Sequence, residues 1–283
     1  MNDATVLNRV ITWLEKRRAL NVALVAAYFI FIVFMHDPLV HVSVWVEAHL
    51  SLPVYNKATA IIYLLFVFGL CWTLWRQFPL YPENRRLKLF YLSVTLSLII
   101  IHSRFMFESN IEVIHSFEFT ILTFLIFPLW RRFGAAVLFT IPFMLVDEWY
   151  QYIFLYPDWN DYFDLNDVVM DTYGSALAMI VLFIAGVTAD INRKPLYKRP
   201  EFSVLVFIAI VIGVLCLTGV VAPYMNERTP QTLLVLNERM SAEPFWRAHP
   251  THNIMYHVMK PVEGLLAIGS LALFYFGLDA LRK

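Results

Sequence analysis

Eight stretches of the chain, near residues 19–35, 58–75, 87–103, 110–130, 134–155, 165–187, 203–223 and 261–280, are predominantly apolar. Each is close to the roughly 20 residues that a helix needs to cross the hydrocarbon core of a bilayer. In that solvent every backbone N–H and C=O must be bonded internally, so apolar runs of this length fold as helices. Composition agrees: 59% of the 283 residues are hydrophobic and only 16% are charged, against about 25% charged in soluble domains. So much apolar surface excludes a disordered chain. With 9 Gly and 2 Cys, collagen-like and disulfide-built classes are excluded as well. The reading is all-α: a polytopic bundle of about eight transmembrane helices, forming a single membrane domain over residues 1–283. The first run follows Lys16-Arg17-Arg18, is too long for a signal-peptide core and has no small-residue cleavage site after it, so it reads as a retained anchor.

Orientation follows from the distribution of Lys and Arg between alternate connections. With the N-terminus inside, most of the 22 basic residues fall on the cytoplasmic side, among them Arg9, Lys16, Arg17, Arg18, Arg85, Arg86, Lys88, Arg131, Arg132, Lys194 and Arg199. Lys57, Arg104, Arg228, Arg239, Arg247 and Lys260 are left outside. Both termini are therefore expected in the cytoplasm. Acidic residues lean the other way, and all 8 His lie toward the outer side. The basic residues sit in short turns without a patch, so nucleic-acid binding is not expected.

Two outer connections are long. Residues 36–57 alternate Val40, Val42, Val44 and Val46 with polar neighbours, which predicts an amphipathic surface segment. In residues 224–260, Thr229-Pro230 before Leu233, Leu234 and Leu236 predicts a short interfacial helix, with Thr as N-cap and Pro at the first helical position. His249, His252 and His257 in this segment have loosely ligand-like spacing but read as solvated loop histidines.

Ionisable residues within the apolar runs point to a site. A charge at bilayer depth costs at least about 2.5–3.5 kcal/mol and usually faces a cavity or a partner. The fourth run carries Glu112, His115 and Glu118; the fifth carries Asp147, Glu148 and Gln151; the sixth carries Asp167 and Asp171. Tracing the chain back and forth puts all of these in the outer halves of three successive helices. Asp147 and Gln151 are four residues apart, and Asp167, Asp171 and Gly174 follow i, i+4, i+7, one stripe of a helix. Gly174 is expected to let a neighbouring helix approach closely. Pro142 is expected to kink the fifth helix below the acids. So many carboxyl groups cannot all be ionised in a low dielectric without shared protons, a bound cation or a basic substrate group. Arg104, Tyr173, His252 and Lys260 are the candidate substrate contacts around the cluster. Glu112, His115 and Glu148 are the candidate ligands of a divalent metal, Glu112-x-x-His115 having the Glu-x-x-His spacing of helical di-metal sites.

Taken in order, Glu112-x-x-His115, then Asp147-Glu148-x-x-Gln151, then Pro157, then Asp167-Val168-x-x-Asp171-x-x-Gly174 resembles the VanZ-like family over roughly 111–177, and the corresponding core spans are residues 110–187. Asp171 stands where that family usually has Asn, and Asp158-Trp159 stand where an Arg commonly follows the Pro. The resemblance implies a multi-pass protein of the bacterial inner (plasma) membrane, related to the teicoplanin-resistance namesake. Three function classes fit the residues. One is an intramembrane enzyme acting on a lipid or lipid-linked cell-envelope precursor, with the acids and His115 as general acid and base. Another is a lipid transporter using the acids as a proton or cation relay. The third is a non-catalytic envelope binding or scaffold protein.

Overall fold

The computed structural model describes residues 6–77, 83–107, 110–155, 162–190, 196–238, 244–248 and 255–279. Its helices are α1 (Val6–Lys16), α2 (Arg18–Leu50), α3 (Leu52–Gln77), α4 (Arg85–Phe105), α5 (Ile114–Trp130), α6 (Phe133–Tyr150), α7 (Leu165–Ile184), α8 (Pro200–Leu217) and α9 (Pro261–Phe276). Among the described residues eight helices, all but α1, are long and apolar enough to cross a membrane. They coincide with the eight apolar runs of the sequence. The helices on the rim present bare apolar side chains, such as Ile62, Leu65 and Phe68 of α3 and Phe207 and Ile210 of α8, as surfaces solvated by lipid rather than water must.

α7 occupies the centre and is buried almost all round, packed by α4, α5, α6 and α9. Small residues make this possible. A Cβ placed on Gly174 would lie 2.0 Å from the Ser116 carbonyl oxygen, so α5 and α7 meet backbone to backbone there. Thr120 Oγ1 donates to the Gly174 carbonyl at 2.8 Å. Below, the Thr123 hydroxyl joins Ser175 at 2.8 Å and Thr140 at 3.1 Å, tying α5, α7 and α6 together. With lipid as apolar as Leu, close packing and buried hydroxyl bonds take over from hydrophobic exclusion as the force between helices.

The opposite end of α6 is fixed by charge. Arg131, in the left-handed region at φ 52, turns the chain from α5 into α6. Arg132 makes a bidentate pair with Glu201 at 2.7 and 2.9 Å, both residues being buried. Asp279 accepts from the Gly134 and Ala135 amides at the start of α6, at 2.9 and 3.2 Å, where the helix N-terminus favours a carboxylate. Glu201→Ala is expected to lower stability by about 3–5 kcal/mol, because it strands a buried guanidinium. Joint replacement by Arg132→Met and Glu201→Leu is expected to recover most of the loss. Thermal unfolding in detergent reads both.

Two sequence expectations are corrected. Residues 36–57 are not a surface loop: α2 continues through Pro38 to Leu50, and Ser51, at φ 62, alone separates it from α3. An extended segment without a strand partner would leave its backbone unbonded at the membrane, whereas a helix satisfies itself. The Tyr55 and Ser43 hydroxyls, 2.6 Å apart, clamp the two helices. The interfacial helix expected after Thr229 is also absent. Thr232 N–H donates to the Thr229 carbonyl and Thr229 N–H to the Thr232 hydroxyl, at 3.1 and 2.9 Å, with Pro230 inside that tight turn. Pro suits the second position of a β-turn. Leu234–Val235 then pairs in parallel with Val221–Ala222, and further along Arg247–Ala248 pairs antiparallel with Met255–Tyr256.

Candidate functional site

The polar residues of α5, α6 and α7 converge at the end of the bundle away from Arg131 and Arg132. A short 3₁₀ turn, Asn110–Val113, leads into α5 and places Glu112 one turn before His115. His115 is buried at the centre of the group. Its Nε2 lies 3.9 Å from Glu112 Oε2 and 3.7 Å from Asp167 Oδ2, and its Nδ1 lies 3.7 Å from Asp171 Oδ1. Carboxylates from two helices thus face both ring nitrogens, at separations longer than a hydrogen bond.

α6 contributes from the third side. At its end the helix loosens into a π-helical turn, Gln151–Leu155, and the Gln151 N–H points at the carbonyls of both Asp147 and Glu148. Such turns re-aim side chains and recur at functional sites. Here the Gln151 side-chain amide donates to Asp147 Oδ2 at 3.0 Å and to Glu148 Oε1 at 3.1 Å, holding the two carboxyl groups beside each other. Asp147, Glu148 and Asp171 are buried, and Asp167 nearly so. The Glu112 side chain is 39% exposed and forms the open edge. Glu118, deeper on α5, lies within electrostatic reach of Asp147 and Asp171.

The group is under-satisfied by protein. Both carboxylate oxygens of Asp171, one each of Glu118, Asp147 and Asp167, and Nδ1 of His115 are buried with no hydrogen-bond partner among the described residues. Nor does any described Lys or Arg come within 4.0 Å of these carboxylates. An unpartnered buried polar group costs about 1–3 kcal/mol, and here several are gathered at one spot. Two sets of three, Glu112–His115–Asp167 and His115–Asp147–Glu148, bring one potential metal-ligand atom from each residue within 4.8 Å of the others.

Every residue proposed from the sequence for the acid–imidazole cluster is therefore brought to one place. Of the proposed substrate contacts, the three that lie among the described residues are not. Tyr173 turns to the other side of α7, its ring 5.6 Å from that of His102 on α4. Arg104 is exposed at the end of α4, against Phe105. Lys260 starts α9, its N–H donating to Glu263 at 2.9 Å. His249 and His252 lie outside the described residues. His257 is not a solvated loop residue: it is buried and stacked on Phe245 at 3.8 Å, with Nε2 3.0 Å from Glu263 Oε2 and Nδ1 2.6 Å from the Phe245 carbonyl.

Two residues beside the cluster were missed. The His36 ring is 5.5 Å from that of His115, brought there by the unforeseen continuation of α2. The signal for it was the helix-compatible run from Ala19 to Leu50, interrupted by a single Pro. Asp164, which caps α7 by accepting from Asn166 N–H at 2.8 Å, stands within electrostatic range of Glu148 and Asp167. Its signal was its place immediately before an apolar run, where Asp is a favoured N-cap.

Asn166 anchors this end of α7. Its amide donates to the Met106 and His257 carbonyls at 2.9 and 3.0 Å and accepts from Met259 N–H at 3.1 Å. Asn166→Ala is expected to cost about 2–4 kcal/mol, since it leaves three backbone groups without a partner. Faster hydrogen exchange at the Met259 amide is the local readout.

These features define a multi-pass helical membrane protein with an intramembrane acid–imidazole site on three adjacent helices. Residues 60–186 match the VanZ/LLP1 family model, a stretch that runs from α3 to the end of α7 and contains the whole cluster apart from His36. Over this stretch, a little under half of the chain, the protein is VanZ-like, and its eight long apolar helices fit a membrane protein. No curated protein and no solved structure matches it.

Proposed function

We propose that this VanZ-like protein is an intramembrane enzyme acting from the extracytoplasmic face on a lipid or lipid-linked precursor of the cell envelope. The carrying observation is the set of three carboxyl groups, those of buried Asp167 and Asp171 and of half-exposed Glu112, 3.7–3.9 Å from the two nitrogens of His115. Carboxyl groups in unlike surroundings, one set held by Gln151 and another facing the imidazole, divide naturally into a proton acceptor and a proton donor. Positioned acid–base groups of this kind contribute about 10²–10⁴-fold in rate. The outward orientation rests on the bias of Lys and Arg toward the opposite end of the helices.

The surroundings suit a lipid. Leu138, Ile141 and Leu145 of α6 line an apolar groove of about 460 Å³ shared with α8 and α9. Ile141, Leu145 and Glu148 follow i, i+4, i+7, so the groove leads along one face of α6 toward the acids. An acyl or polyprenyl chain held there would present its headgroup at the level of Glu148. The test is to incubate protein in lipid nanodiscs with envelope lipids and lipid-linked precursors, resolving products by chromatography. A new product formed by wild type and not by Glu148→Gln is the expected result. Unaltered substrates, together with equal teicoplanin susceptibility of cells carrying wild type or Glu148→Gln, would sink the proposal.

A specific observation favours a second reading, a proton- or cation-coupled lipid transporter. The hydroxyl ladder of Thr120, Thr123, Ser175 and Thr140 continues from the acids toward the other end of the bundle. Proton uptake into liposomes driven by a lipid gradient, abolished by Thr123→Val, would favour transport over chemistry.

A further inference from the structure

We propose that the cluster is a divalent-metal centre in which His115 Nε2, Glu112 and Asp167 hold one ion and Asp171 orients the imidazole from behind. This deepens the enzyme reading by naming what the acid–imidazole site binds. Three facts carry it.

The first is spacing. Ligands about 2.0–2.2 Å from a zinc-like ion stand roughly 3.4 Å apart at tetrahedral angles. His115 Nε2 stands 3.9 Å from Glu112 Oε2 and 3.7 Å from Asp167 Oδ2, and the three ligand atoms lie within 4.8 Å of one another. Side-chain adjustments of up to roughly an ångström close such a set on an ion. Both pairs are longer than hydrogen bonds, the spacing that an ion between them would use.

The second is the arrangement behind the imidazole. Metal-bound His usually gives its other ring N–H to a carboxylate, which fixes the tautomer and the ring's orientation. His115 Nδ1 faces Asp171 Oδ1 at 3.7 Å, and that carboxylate is wholly buried with neither oxygen otherwise partnered among the described residues. A neutral imidazole bound through Nε2 has one proton left, on Nδ1, and Asp171 is placed to receive its hydrogen bond.

The third is charge. Asp147, Glu148, Asp167 and Asp171 gather with no Lys or Arg within 4.0 Å among the described residues. A dication supplies the missing positive charge at the centre of the group. One imidazole with carboxylates is a borderline-to-hard donor set, suited to zinc or manganese rather than copper(I). Three protein ligands leave a coordination position open, and Glu112, 39% exposed, puts that position at the edge a headgroup would enter. Asp147 and Glu148, clamped by Gln151, stand within 4.8 Å of the imidazole as the groups that would move protons.

The test is metal content, read independently of any activity. Full-length protein purified in detergent without chelator is stripped, dialysed separately against zinc and against manganese, and analysed for bound metal. Wild type is expected to hold about one ion per chain of at least one of the two. The nearly isosteric Asp167→Asn is expected to fall below about a tenth of that, as is His115→Ala. Asp171→Asn is expected to retain the ion with roughly 10–100-fold weaker affinity. Gly213→Ala, on a helix face with open space around it, is expected to match wild type. Size-exclusion profile and helical circular dichroism identify any variant that fails to fold, and Asp167→Asn decides the matter if His115→Ala does. Wild type holding less than about a tenth of an ion of either metal would overturn the proposal, as would full occupancy in a folded Asp167→Asn. The two readings fail separately. Lipid turnover by metal-free wild type removes the ion and leaves the enzyme. A stoichiometric ion with no lipid turnover leaves the ion and removes the enzyme.

Discussion

Glu148→Gln and Asp171→Asn are each expected to reduce turnover of the lipid substrate by at least about 10²-fold while leaving the protein folded. Both replacements keep the shape of the side chain and remove only its capacity to carry negative charge or exchange a proton. Removal of one acid–base group typically costs about 10²–10⁴-fold. Glu148 also shares the Gln151 amide with Asp147, and a Gln there can still accept that hydrogen bond, so loss of activity would report chemistry and not packing. The measurement is product formation in nanodiscs, alongside an unchanged melting temperature. Activity within about threefold of wild type in both variants would leave the cluster without a chemical role. Gln151→Leu is the informative third variant. It frees both carboxyl groups from their clamp without deleting either, so a positioning role predicts a smaller loss than in Glu148→Gln.

Gly174→Val is expected to have the largest effect on stability of any single substitution in the core. The added Cβ would stand 2.0 Å from the Ser116 carbonyl oxygen and 2.7 Å from Ser116 Cα. Neither atom can rotate away, because both belong to the backbone of α5. The helices must separate, which breaks the Thr120–Gly174 bond and the Thr123–Ser175 bond below it. Overpacking of a core commonly costs about 1–3 kcal/mol where side chains can give, and here only the backbone can. The expected result is loss of monodisperse protein or a strongly lowered melting temperature. Gly213→Ala is the matched control: nothing lies within 4 Å of its new Cβ, and Ala in a helix interior gains roughly 0.5–1 kcal/mol over Gly. Equal melting temperatures for the two variants would refute the close α5–α7 contact.

The acid–imidazole cluster was legible because polar residues in apolar helices are few, and their spacing fixes both depth and face. Asp167, Asp171 and Gly174 lie on one stripe of α7, and the structure sets two of them against His115 and the third against the backbone of α5. Tyr173, only two residues beyond Asp171, illustrates the limit. Proximity in sequence suggested a substrate contact, but two residues along a helix turn the side chain by about 200°, and Tyr173 faces His102 instead. His36 escaped for a different reason. An alternation of Val with polar residues looks like an extended surface segment, whereas at a bilayer the helix, which bonds its own backbone, is the lower-energy choice.

Hydropathy is a property of each segment alone, so the chain by itself determined the positions of its eight apolar helices and the level at which the acids lie. Tertiary structure decided that α7 stands at the centre, that α2 runs on to deliver His36, and that Arg104 and Lys260 stay away from the acids. Those outcomes depend on which helices can approach most closely. That is set by Gly174 against Ser116 and by Asn166 across three segments, contacts between residues far apart along the chain.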